Sequence, residues 1–108
     1  MLITFECSVY PNITMFGNVA NKLIVYMGHS GTIPGAVNAD DVRTALEKIV
    51  GAVREEMQTE ETREAIALQD DDEFYVSIDK RARTLIQLLR AASEEGVPVM
   101  WYQYTDRI

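Results

Sequence analysis

Cysteine, histidine and positive charge are all scarce in this chain, and each scarcity removes a class of function. Cys7 is the only cysteine, which forbids an intramolecular disulfide and fits a reducing cytosol better than an extracellular framework. His29 is the only histidine and stands far from Cys7 in sequence, so the paired ligand spacing of a zinc site is missing. Ten Lys and Arg against 17 Asp and Glu leave a net charge of −7, which opposes nucleic-acid phosphates and anionic lipid. Neither nucleic acid nor a membrane is expected as a partner. No apolar run approaches the roughly 20 residues of a membrane helix. Met1 to Glu6 also lacks the basic start and longer apolar region of a signal peptide. A cytoplasmic chain is expected, with its 108 residues forming a single domain around one core.

What is present is a well-patterned core. Ile78, Ala82, Leu85, Leu89 and Ala92 stack along one line of a helix, and Ile86 and Leu88 widen that stripe, as suits the central helix of a small domain. Ser77 is expected to cap it, with Asp79 at its positive end, and Gly96 to end it in the left-handed conformation. The apolar and aromatic run from Val97 to Tyr102 then predicts a strand, with Pro98 tolerated near its start. At the other end of the chain Ile3, Phe5 and Cys7 alternate with Leu2, Thr4 and Glu6, predicting a first strand with one better buried face. Pro11 and Asn12 predict a turn after it. A helix with the stripe Phe16, Val19, Ala20, Leu23, Ile24 and Met27 follows, capped by Thr14. Three glycines and a proline make Gly28 to Gly35 a shaped loop. Asn38 caps a second helix that carries Asp40 and Asp41 in its first turn and the stripe Val42, Leu46, Ile49, Val53 and Met57. Gly51 falls on the opposite side of that helix. Between about 58 and 75 the pattern thins and acids accumulate, ending in Asp70-Asp71-Asp72-Glu73, which predicts a mobile acidic linker.

The expected fold is therefore α+β in the order strand, helix, helix, helix, strand, with the terminal strands paired and the helices packed on the sheet. If successive elements simply reverse direction, three helices between the two strands make that pair parallel. Two strands alone form a marginal sheet, so dimerisation through the edge of the last strand, or through the faces carrying Val25 and Gly51, is a further expectation.

Three stretches together carry a resemblance to a known family. They are the opening Met1 to Phe5; Ile13-Thr14-Met15-Phe16-Gly17 running on through Leu23 and Ile24 to Gly28-His29-Ser30-Gly31-Thr32-Ile33-Pro34-Gly35-Ala36; and Val76-Ser77-Ile78, Arg81-Ala82, Leu85-Ile86, Leu88-Leu89 and Val99-Met100-Trp101. In these the chain resembles a bacterial family known as domain of unknown function 1840, and the Gly-His-Ser-Gly-Thr loop is the most specific part. The resemblance implies bacterial origin and a small soluble protein, and brings no activity, substrate or cofactor with it. The linker here departs from the family pattern in having few prolines, and Tyr102 to Ile108 extends past the usual end.

Gly28-His29-Ser30-Gly31-Thr32 invites comparison with the Gly-x-Ser-x-Gly nucleophile elbow. The comparison fails because Thr32 replaces the last glycine, the preceding segment reads as a helix, and no second histidine exists to serve as base. A milder reading is a loop whose backbone N–H groups cradle a small anion, with His29, Ser30, Gly31 and Thr32 as ligand-binding residues, although the Gly-x-x-x-x-Gly-Lys-Ser/Thr pattern is absent. The acidic run lacks the spaced ligands and central glycine of a calcium loop and reads as solvated charge. Cys7 shares a strand face with Ile3 and Phe5 and reads as packing. Arg81 lies beside Leu85 and Leu88, so its stem packs while its guanidinium seeks a carboxylate or a helix-end carbonyl. Arg81 and Trp101 are assigned as structural anchors. No catalytic residue, metal or cofactor is expected. The leading functional reading is a non-catalytic cytosolic protein-interaction module with an unidentified protein partner or a second copy of itself. The alternative is small-anion or phosphate-ligand binding at Gly28 to Gly35, as part of a composite enzyme site.

Overall fold

A computed structural model describes residues 1–58 and 72–107. Its elements are β1 (Leu2–Cys7), β2 (Tyr10–Phe16), α1 (Gly17–Tyr26), β3 (Gly35–Val37), a 3-10 turn (Ala39–Asp41), α2 (Val42–Gln58), α3 (Asp72–Glu95), β4 (Val99–Gln103) and a closing 3-10 turn (Tyr104–Arg107). The four strands form one antiparallel sheet in the order β2-β1-β4-β3. The helices cover one face of it. Ile3 and Phe5 of β1, Ile13 and Met15 of β2, and Val99 and Trp101 of β4 point into the core. They meet Leu23 and Ile24 of α1, Val42 and Ile49 of α2, and the fully buried α3 stripe Ile78, Ala82, Leu85, Leu89 and Ala92.

The terminal strands are paired as expected, Phe5 opposite Trp101, but they run antiparallel. Two strands that periodicity did not reveal, β2 and β3, lie between them, so a count of one reversal per helix does not set their direction. The chain turns at Ser8-Val9, and Pro11 and Asn12 lie inside β2. Pro11 is tolerated because β2 is an edge strand, where a missing N–H breaks no ladder bond. Thr14 consequently caps nothing. Its Oγ1 lies 2.8 Å from Thr4 Oγ1 across the β1–β2 pair, while α1 begins after Phe16, with Gly17 N–H donating to Met1 O at 2.8 Å and Val19 N–H to Asn18 Oδ1 at 2.9 Å. Phe16 is the last residue of β2, and at 69% exposure it does not belong to the buried stripe of α1.

Helix α3 starts at Asp72 rather than at Ser77. The end of the expected linker, from Asp72 on, is therefore helix. The remainder of that linker, 59–71, lies outside the described residues. Gly96 closes α3 at φ 67°, and Val97 N–H reaches back to Ala92 O at 3.0 Å, the six-to-one bond of a Schellman ending. β4 has β1 on one side and β3 on the other, so its edge is not free for dimerisation.

Gly51 is exposed on α2, and a Cβ built there meets nothing within 4 Å. Gly51→Ala is expected to stabilise the protein by roughly 0.5–1 kcal/mol, because alanine loses less backbone freedom in a helix. A rise in the urea midpoint with unchanged slope is the expected result; a fall would show that this face is covered.

Candidate functional site

The conspicuous loop is wired to the core through Trp101. Helix α1 ends in overlapping turns, with Gly28 N–H donating to Val25 O at 2.9 Å and His29 N–H to Ile24 O at 3.3 Å. Gly28 (φ 86°) and Gly31 (φ 92°) take the left-handed region that side chains disfavour. Trp101 is 1% exposed, and its Nε1–H donates to Thr32 O at 2.9 Å. The His29 ring stands edge-on to the Trp101 indole with centroids 4.8 Å apart, an arrangement in which the positive ring edge meets the negative face. Across the β3–β4 pair, Gly35 lies opposite Trp101, and a Cβ there would come within 2.6 Å of Nε1. Only glycine leaves room for the indole. Phe5 completes the cluster, its ring centroid 6.0 Å from that of Trp101.

The expected ligand-binding residues are thus brought together, but their polar atoms largely serve one another. Ser30 Oγ and Thr32 Oγ1 lie 2.8 Å apart, Gly31 N–H donates to His29 Nδ1 at 3.4 Å, and Asn21 Nδ2 donates to Gly31 O at 3.3 Å. Behind the loop a cleft of about 270 Å³ opens between His29, Asn38, Thr44 and Lys48. Lys48 folds against Gly28, and Asp41 lines the same cleft. Among the described residues, no three His, Cys, Asp or Glu side chains gather closely enough to hold a metal ion. No helix among them is long and apolar enough to cross a membrane.

The second candidate is the sheet face that carries none of the described helices. Alternation along the strands, with the observed register, places Leu2 beside Phe16, Thr4 between Thr14 and Tyr102, and Met100 between Glu6 and Ala36. Leu2 is 39%, Phe16 69% and Met100 36% exposed, and Tyr104 just past β4 is 46% exposed. The polar groups in the middle are paired: Thr4 with Thr14, and the Tyr102 hydroxyl donates to Glu6 Oε2 at 2.8 Å. A shallow groove of about 370 Å³ runs along the β3 side, between Pro34, Ala36, Met100 and Tyr102. At the opposite edge of the sheet a cleft of about 310 Å³ lies between Leu2, Thr14, Phe16, Val19 and Arg81. Arg81 is exposed there and forms no ion pair among the described residues, whereas its neighbour Arg83 pairs with Asp79 at 3.2 Å. Sequence reasoning missed this face because it missed β2. The signal was the alternation of buried Ile13 and Met15 with Thr14 and Phe16.

Neither a curated protein nor a solved structure matches the chain. A family model does, over residues 1–101, from β1 through the buried Trp101 of β4. The match takes in the Gly-His-Ser-Gly-Thr loop, Arg81 and the exposed sheet face up to Met100, so that the chain belongs to the family described as Domain of unknown function (DUF1840).

Proposed function

We propose that this protein is a non-catalytic, cytosolic protein-interaction module that binds a protein partner on the sheet face that carries none of the described helices. The observation that carries the reading is the exposure of Leu2, Phe16 and Met100 on one side of the sheet, beside polar groups that are already paired, with exposed Tyr104 just past β4. Burying such a face recovers the hydrophobic term at little polar cost. The alternative, anion binding at Gly28 to Gly35, has less in its favour, since the N–H groups of Gly28, His29 and Gly31 and the hydroxyls of Ser30 and Thr32 already have partners. Affinity capture with the wild-type chain and with Phe16→Glu tests the reading. Phe16 is exposed and makes no core contact that the substitution would remove, so Phe16→Glu is expected to keep its stability within about 0.5 kcal/mol. It should also lose a partner that the wild type captures in stoichiometric amount. Equal capture by both chains, or localised amide shifts at Ser30 to Thr32 on titration with phosphate, would count against it.

A further inference from the structure

We infer that the partner of this module docks an extended segment along the free edge of β2, in the groove between β2 and α3, with one carboxylate of that segment held by Arg81. This rests on the interaction reading above and names the chemistry of the partner.

Three independent features meet at this edge. First, β2 is seven residues long and, among the described residues, pairs with β1 on one side only. An edge strand turns alternate N–H and C=O groups outward, which is the template used when a peptide adds to a sheet. Pro11 offers no N–H, so the usable edge is Asn12 to Phe16. Second, α3 flanks this strand and runs opposite to it. The Tyr10 hydroxyl donates to Gln87 Oε1 at 2.9 Å near the start of β2, while Arg81, further back along α3, faces Thr14 and Phe16 at its end. The groove is therefore tied shut at the Tyr10 end and open at the Phe16 end. Third, the open end holds a cleft of about 310 Å³, lined by the apolar Leu2, Met15, Phe16 and Val19 together with Thr14 and Arg81.

Arg81 decides the charge of the occupant. Among the described residues it has no carboxylate partner, and it is the only charged side chain lining the cleft. A guanidinium binds a carboxylate in a fixed two-pronged geometry, and more strongly where apolar walls exclude water. The chain as a whole carries −7, which repels strongly acidic segments at long range. The segment that fits both constraints alternates apolar residues and carries a single Asp or Glu near the residue that enters the cleft. Main-chain bonds to β2 supply affinity, and the cleft and Arg81 supply selectivity.

Random octapeptides displayed on phage are selected against the full chain, and the two most enriched peptides are synthesised and titrated into isotope-labelled protein. The expected sequences alternate apolar residues around one Asp or Glu, and the expected amide shifts fall on Asn12 to Phe16. Arg81→Glu should bind these peptides about tenfold or more weakly, and selection against that variant should exchange the acid for Lys or Arg. Arg81 is exposed, so a matching circular dichroism melt establishes that the variant folds. Peptides whose shifts fall on Ala36, Met100 and Tyr102, and whose affinity ignores Arg81→Glu, would overturn the β2 edge while leaving the interaction module standing. Failure to enrich any peptide would also overturn it, and the Phe16→Glu capture comparison then decides the module by itself.

Discussion

Trp101→Ala is expected to cost about 3–5 kcal/mol, the range for deleting a large buried aromatic. The indole is 1% exposed and packs at once against Phe5, the His29 ring and the backbone of Gly35. Removing it leaves a cavity walled by three different elements, and β3 has only three residues with which to close it. The Thr32 carbonyl also loses the Nε1–H that it accepts at 2.9 Å. With typical domains stable by only about 5–15 kcal/mol, such a loss unfolds a large part of the population on mild heating. Urea unfolding followed by far-ultraviolet circular dichroism gives the number, since the variant has no tryptophan left to report. Trp101→Phe keeps one ring in the cavity but removes the donor and part of the indole volume, and is expected to cost less than Trp101→Ala, roughly 1–3 kcal/mol. If Trp101→Ala costs under about 1 kcal/mol, the indole does not organise the loop and the core as described.

Leu85→Ala is the second large effect, expected at about 2–5 kcal/mol. Leu85 is fully buried in the stripe of α3, which packs against α1, α2 and the inner face of the sheet. These neighbours are held by their own contacts, so the space left by the deleted methyl groups closes only in part. The loss should be independent of salt, because no charge takes part. A cost of a few tenths of a kcal/mol would place α3 at the periphery of the domain.

The parts of this fold that were legible in the sequence are those with several turns of pattern. The α3 stripe Ile78, Ala82, Leu85, Leu89 and Ala92 is buried residue for residue, and Gly96 ends the helix in the left-handed conformation expected of it. The hairpin partner of β1 was not read, although its alternation is present, because two local signals pointed elsewhere. Pro11-Asn12 has turn chemistry, and Phe16 continues the helical spacing of Val19, Ala20 and Leu23. Sheet pairing overrode both: β2 pairs with β1 from Leu2–Phe16 to Phe5–Ile13 and again at Cys7–Tyr10, and Pro11 falls at the register shift between them on an edge strand, where it is tolerated. β3 has three residues, Gly-Ala-Val, too few to show any period. The start of α3 was placed late because Ser77 has the side chain of a cap, whereas the observed helix begins at Asp72.

The candidate sites follow the same division. His29, Ser30, Gly31 and Thr32 were legible as a shaped loop from glycine alone, but the role of Trp101 as its tether was not, since the bond to Thr32 spans 69 positions. Arg81 was legible as an amphipathic residue with a guanidinium in search of a carboxylate. Its location at the end of β2 depends on a strand that only tertiary pairing reveals. The exposed sheet face likewise exists only once the strands are assembled, because Leu2, Phe16 and Met100 come from three different strands and each is an ordinary surface residue taken singly.

Hydroxyl-radical footprinting of the chain, free and in complex with its captured partner, tests the interaction reading most directly. Met, Phe and Tyr side chains report their own exposure; Phe16 and Met100 lie on the face in question, and Tyr104 lies just past β4. The account predicts that oxidation of Phe16 falls most and that of Met100 and Tyr104 also falls, while His29 is oxidised equally in both states. Protection confined to His29 and its loop, with Phe16 and Met100 oxidised as in the free chain, would contradict it.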